Sequence, residues 1–357
     1  MTVEQDRQKD ILERLGFTVA GAGPFTVTVP SWRRDVEGSA DLVEEVVRIV
    51  GLDALPSTPL PREPGVARPT ASPEQKLERR LKRLAAARGL NEAVNWSFIS
   101  EREAAPFGGG DWTVANPISE ELKIMRPSLL PGLLSAARRN IDRSADSVML
   151  FEAGRRYFRR QDGTSDERAT LTLLLTGERT PRDWQSGKAA GYGPFDAKAE
   201  VIALLGAAGV DTLKLMEMGF ADLDYGDHYH PGQSGTLRLG PKKVLAAYGT
   251  LHPAVARSFG MKGAVMVGEL FLDAIPLKAR AGHMRDAYAP PALQPVTRDF
   301  AFLIDADKPA NELVRALRGA DKAHIVAARL FDRFEGAGVP DGKISLAIEV
   351  TLQPGEQ

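Results

Sequence analysis

Two proline-rich stretches limit what this chain can fold into. One carries Pro56, Pro59, Pro61, Pro64, Pro69 and Pro73, and the other carries Pro290, Pro291 and Pro295. Proline fixes φ and lacks the backbone N–H, so neither stretch can continue a helix or a central strand. The 357 residues are thus cut into three pieces, each of which must close a core of its own. We place the pieces at residues 1–60, 70–285 and 291–357. An apolar share of 43% is enough for ordinary cores.

Several function classes are excluded or disfavoured. The chain has no Cys, so it makes neither disulfides nor thiolate metal sites, which fits a reducing cytosol. Its start, MTVEQDRQKD, is charged and lacks an apolar core for a signal peptide. No run of about 18 apolar residues could span a bilayer. A soluble, cytoplasmic protein without a membrane partner is expected. A net charge of −1 does not draw polyanions, so any RNA binding must rest on local patches. There is no G-x-x-x-x-G-K phosphate loop and no G-x-S-x-G elbow. Gly108–Gly110 reads as a turn. His228 and His230 would share a strand face, but no third metal ligand lies close in sequence. His252 reads as a packing residue.

The first piece reads as a helix over Glu4–Leu15, a strand over Phe25–Pro30 and an acidic helix. Ser39 can cap that helix, and Leu42, Val43, Val46, Val47 and Val50 form its apolar stripe. Asp41, Glu44 and Glu45 stand at i, i+3 and i+4, so their carboxylates are expected to point the same way. Asp35 lies six residues before Asp41. Four carboxylates without a nearby Cys or His suit a hard, oxygen-liganded cation such as Mg²⁺. An acidic first turn that complements the helix dipole is equally compatible with the pattern. Energy does not separate the two, because an exposed like-charge pair costs only about 0.2–0.5 kcal/mol and Arg48 offsets part of it.

The second piece opens with Ser72 as N-cap, Pro73 in the first turn and Gln75 completing a capping box. Leu77, Leu81, Leu84 and Ala85 share one helical face, and Gly89 ends the helix. Strands over Ala169–Thr176, Val244–Thr250 and Val265–Leu272 mix with helices near Leu129–Arg143 and Ala197–Ala208. That order predicts an antiparallel α+β domain. The third piece reads β-α-β-β: PVTRDFAFLID, Ala310–Gly319, His324–Phe331 and Lys343–Leu352. It is the opening of a ferredoxin-like fold. From residue 290 onward it has eight Lys/Arg against ten Asp/Glu. Arg298, Arg333 and Lys343 are its candidate phosphate contacts, and Phe331 or Phe334 could stack on a base. Phe331 is expected in the core instead.

VTVPSWRRDVEGSADLVEEVVRIVGLDALPSTPLP resembles the end of the B5 domain of bacterial phenylalanine–tRNA ligase β subunits. LNEAVNWSFIS, VANPISEELKIMRPSLLPGLLSAARRNIDR and YHPGQSGTLRLG resemble the catalytic-like module of the same family, and RDFAFLID, LFDRFEG and KISLAIEVTLQ its anticodon-binding domain. The resemblance implies an α+β chain: a partial, winged-helix-like B5 domain, a class II synthetase-like antiparallel module and a truncated ferredoxin-like anticodon-binding domain. It implies that Asp35, Asp41, Glu44 and Glu45 bind Mg²⁺ associated with an α subunit. It further implies a heterotetramer of two α and two β chains that joins phenylalanine to tRNA(Phe). ATP would be used by the α subunit, with this segment as scaffold and tRNA-binding arm. FEAGRRYF superficially resembles a class II arginine motif, without the second arginine motif that ATP activation uses. Family editing activity lies in domains upstream of residue 1. A family fold lacking its last helix and strand would leave a sheet face bare and an edge open, so marginal order is expected after residue 298. The rival reading is a stand-alone winged-helix nucleic-acid-binding protein without enzymatic activity, which the near-neutral charge disfavours.

Overall fold

The computed structural model describes residues 2–61, 69–220, 226–277 and 290–355. Pro64 and the expected domain limit at residue 285 lie outside them. The chain divides into two compact units, residues 1–69 and 70–357.

In the first unit, helix α1 (Gln5–Arg14) leads into a hairpin of β1 (Thr18–Ala20) and β2 (Thr26–Thr28), followed by helix α2 (Ser39–Val50). Ile11, Leu12, Phe17, Val19, Val36 and Val46 form its small core. The N-cap of α2 is Gly38, not Ser39, which is the first helical residue. Asp41 does the polar work of this terminus by accepting the N–H groups of Glu37 and Gly38, both at 2.8 Å. The apolar stripe is also narrower than its spacing suggests. Val43 is 60% exposed, whereas Glu45 is only 6% exposed. The packing therefore turns a carboxylate inward where a valine was expected.

The second unit begins with α3 (Pro73–Ala87), whose Ser72–Gln75 capping box forms as expected. Then come β3 (Asn91–Glu92), β4 (Phe98–Ile99), α4 (Glu101–Ala104), β5 (Ile124–Met125) and α5 (Leu130–Ile141). The long strands β6 (Ser147–Arg159) and β7 (Ser165–Thr180) precede β8 (Ala190–Gly191), α6 (Pro194–Ala207) and β9 (Met216–Met218). β10 (Tyr229–Leu239), β11 (Lys243–Leu251), α7 (Pro253–Ser258) and β12 (Val265–Phe271) complete this part. One sheet runs β3-β6-β7-β12-β11-β10-β9, with β8 on β7, and is antiparallel except for the β3–β6 pair.

Alternation along β7 explains how the sheet is covered. Leu171, Leu173 and Leu175 point to a core shared with α3 and α6, while Leu174 points to a second core shared with α5. Leu77, Leu81 and Ala85 fasten α3 to the first core, and Leu130, Leu133 and Leu134 fasten α5 to the second. Gly108–Gly110 is a turn with φ of 95°, 80° and 78°. A Cβ on Gly110 would stand 2.5 Å from the Ile124 side chain, so the close approach requires glycine there.

The last part contains β13 (Val296–Asp305), α8 (Ala310–Ala320), β14 (Ile325–Phe334) and β15 (Lys343–Leu352). Its sheet order, β13-β15-β14, is that of the split β-α-β in a ferredoxin-like fold. Ala328, Ile348 and Val350 are buried with α8 side chains packed around them. Both β13 and β14 are edges, and Phe300 and Leu303 on β13 are 45% and 56% exposed. Phe331 is 49% exposed, against its expected core position. The register slips between Leu330 and Asp332, and the bulged Phe331 turns outward.

Candidate functional site

The acidic segment is organised around Arg33, two residues after the PS turn that follows β2. Its Nε and Nη2 donate to Asp35 at 2.9 and 2.7 Å, and its Nη1 and Nη2 donate to Glu45, both at 2.9 Å. Arg48 adds Nε to Glu45 Oε1 at 3.0 Å and Nη2 to Oε2 at 2.5 Å. Glu45 thereby accepts four charge-assisted hydrogen bonds, about as many as a carboxylate has lone-pair sites. This is why it can be buried. The hydrogen bonds from Arg33, then those from Arg48, hold its pKa down at about 2. Asp35 is lowered by Arg33, and Asp41 by the N–H groups of Glu37 and Gly38. Both guanidinia are raised in turn, chiefly by Glu45.

Asp41, Glu44 and Glu45 do not point the same way. Asp41 turns back to the helix start, Glu44 is exposed, and Glu45 is drawn onto Arg33. Among the described residues, no three His, Cys, Asp or Glu side chains gather closely enough to hold a metal ion. As arranged, Asp35 and Glu45 serve guanidinia and Asp41 a helix terminus, while Glu44 is exposed, an arrangement that fits ion pairing and capping better than Mg²⁺. Sequence spacing missed Arg33 because its partner on α2 lies twelve residues away; the alternation of basic and acidic residues from Arg33 to Arg48 was the available signal.

The third-domain cations are scattered. Arg333 pairs with Glu335 at 2.9 Å and Lys343 with Asp305 at 2.7 Å, while Arg298 stands exposed on β13 opposite Val350. Phe331 and Phe334 are each 49% exposed.

In FEAGRRYF, on β6, Glu152 and Arg156 face protein, whereas Arg155 is exposed. Glu152 accepts Arg126 Nη1 at 2.6 Å and Asn95 Nδ2 at 2.7 Å, with Arg126 and Glu152 4% and 3% exposed. Arg156 donates to Thr170 at 2.7 Å and stacks over Phe271 at 4.6 Å. His228 is buried beside Phe107, whereas His230 accepts the Gly232 N–H at 3.1 Å. His252 caps α7 by accepting the Ala254 N–H, a role more specific than packing.

Three family models match in order. The tRNA synthetase B5 domain covers residues 1–52, the phenylalanyl tRNA synthetase beta chain CLM domain residues 55–272, and the ferredoxin-fold anticodon binding domain residues 291–357. The class is therefore an α+β chain of aminoacyl-tRNA synthetase domains. The "Phenylalanine--tRNA ligase beta subunit" of Novosphingobium aromaticivorans is 61% identical over 97% of this chain, and that of Zymomonas mobilis 54% over 100%. The Brucella abortus protein of the same name is 44% identical over 98%. The chain belongs to the phenylalanine–tRNA ligase β-subunit family. It spans less than half the length of these relatives, 43% and 44% for the first two. A solved pyrrolysyl tRNA synthetase from Desulfitobacterium hafniense is 18% identical, with a TM-score of 0.40, over 56% of this chain and 66% of its own. Among the described residues no helix is long and apolar enough to cross a membrane.

Proposed function

We propose that this chain is the part of a phenylalanine–tRNA ligase β subunit that scaffolds the catalytic α subunit and helps to hold tRNA(Phe). The complete enzyme, read as two α and two β chains, would convert ATP, phenylalanine and tRNA(Phe) to Phe-tRNA(Phe), AMP and pyrophosphate. The observation that carries this reading is the succession of three matched synthetase domains along one chain. The catalytic-like module supports a non-catalytic role for this segment. Of the two arginines of FEAGRRYF, Arg156 is engaged by Thr170 and Phe271 and Arg155 is exposed, while the nearby Arg126 is held by Glu152.

The proposal extends to Mg²⁺ at Asp35, Asp41, Glu44 and Glu45 on the terms set by the geometry. Arg33 would first have to release Asp35 and Glu45, and contact with a partner subunit is what could favour that exchange. Size-exclusion co-elution with the cognate α subunit, in Mg²⁺ and in EDTA, tests both statements. Co-elution is expected; its loss in EDTA would tie the carboxylates to assembly, and failure in both buffers overturns the scaffold role. Asp41→Ala combined with Glu45→Ala is expected to weaken association, and unchanged association removes the acidic segment from the assembly surface.

A further inference from the structure

The acidic segment carries its own counter-charge. Both oxygens of Asp35 and both oxygens of Glu45 accept from the Arg33 guanidinium, and Glu45 accepts from Arg48 as well. Asp41 Oδ2 is taken by the N–H groups of Glu37 and Gly38. Of the eight carboxylate oxygens of Asp35, Asp41, Glu44 and Glu45, five therefore have donors from this chain: two of Asp35, two of Glu45 and one of Asp41. Two guanidinia against the carboxylates of Asp35 and Glu45 also cancel in charge, which weakens the field that draws a divalent cation there.

Arg33 is held in this position from behind. Its side chain is 21% exposed, and its Cζ lies 5.6 Å from the centre of the Phe17 ring, which is buried in the core of the first unit. Its backbone N–H donates to the Pro30 carbonyl at 3.0 Å and closes the turn after β2. Taking the guanidinium off Asp35 and Glu45 strands a charge that is mostly withdrawn from water, which burial opposes. Mg²⁺ demands near-octahedral oxygen geometry and gives up its waters reluctantly, so it competes poorly with donors already seated at 2.7 to 2.9 Å.

We propose that Arg33 is a latch on the acidic segment: it serves Asp35 and Glu45 as their resident cation, so that this chain by itself does not take up Mg²⁺. The inference rests on the reading of Asp35, Asp41, Glu44 and Glu45 as cation ligands, and it adds the residue that regulates them. A site closed by its own arginine makes cation uptake depend on whatever surface withdraws the guanidinium.

The test is Mn²⁺ uptake by the whole chain without a partner, read from the loss of the free-ion electron paramagnetic resonance signal and its return with excess Mg²⁺. The parent should leave the signal as buffer does. Arg33→Gln should bind Mn²⁺ at least ~10-fold more tightly than any uptake by the parent, because a unit positive charge leaves hydrogen-bond distance of two carboxylates. Arg33→Gln/Asp35→Asn/Glu45→Gln should lose that gain. Arg34→Gln, the same charge loss at an exposed neighbour, should behave as the parent. Unchanged amide exchange across α1 and the β1–β2 hairpin confirms that Arg33→Gln is folded. If that variant loses its fold, the parent still decides: exchange of its α2 amides is expected to be the same in Mg²⁺ and in EDTA, and slowing by Mg²⁺ overturns the latch. Mn²⁺ uptake by the parent that is abolished by Asp35→Asn/Glu45→Gln overturns the latch and leaves the cation reading standing. An equal gain in Arg34→Gln overturns the latch. A folded Arg33→Gln that takes up no more Mn²⁺ than the parent overturns it too, and removes the cation reading with it.

Discussion

Glu45→Gln separates the two roles open to the acidic helix. The substitution keeps the shape of the side chain and removes the charge that gathers Arg33 and Arg48. A carboxyl that titrates at about 2 instead of 4.5 is favoured as the anion by roughly 3 kcal/mol at most. Two features reduce this. The Arg48 side chain is 44% exposed, so water screens its half of the pair, and Arg33 keeps Asp35 after the change. We expect a loss of about 1–2 kcal/mol. Hydrogen exchange of the α2 amides, Ser39–Val50, in EDTA at pH 7 should then quicken roughly 5- to 30-fold. Glu44→Gln removes an exposed carboxylate and should stay within about 0.5 kcal/mol of the parent. The pH dependence carries a definite sign. The folded pKa lies below the ordinary value, so the contribution is full above about 4.5 and is lost as pH falls towards about 2. The parent should lose its advantage over Glu45→Gln within that window. Equal effects of Glu44→Gln and Glu45→Gln, or α2 exchange unchanged by the latter, would refute the idea that a guanidinium fork holds this helix.

Other consequences are open to direct measurement. Arg126→Leu leaves the buried Glu152 carboxylate with Asn95 as its remaining named side-chain partner, and should cost about 3–5 kcal/mol in denaturant unfolding; a loss below 1 kcal/mol would contradict the burial of this pair. Ser72→Ala removes the α3 cap and should cost about 1 kcal/mol, read from the same titration. Gly177→Ala places a Cβ against the Asp146 carbonyl at a φ of +87°, so a neutral result in thermal unfolding would show that this turn can shift. In the last domain, exposed Phe300 and Leu303 and two unpaired edges predict low and uneven amide protection across residues 298–352, and uniform strong protection would end that expectation.

Much of the architecture was legible because it follows from local rules. Ser72, Pro73 and Gln75 state a helix start in three residues, and the structure forms that box. The apolar runs around Leu171, Leu245 and Val267 announce strands buried on both faces, and β7, β11 and β12 lie side by side with helices on both sides of the sheet. The first proline-rich stretch falls where the two units divide, whereas no such division follows the second, and the phrases shared with the β-subunit family extend over nearly the whole chain.

β1, β6 and β10 went unread, and what the sequence alone determined is therefore a part of the elements, the α+β class and the family. These are properties of residues near one another in the chain, where spacing decides the outcome. The tertiary structure alone decided which charges meet. Glu45 turned inward because Arg33, twelve residues away, and Arg48 supply enough donors to replace water. Phe331 left the core because of a one-residue bulge against β15, which no alternation pattern reveals. Arg333 and Lys343 found acidic partners. A side chain's charge is written in the sequence, but its partner is set by the packing of distant segments.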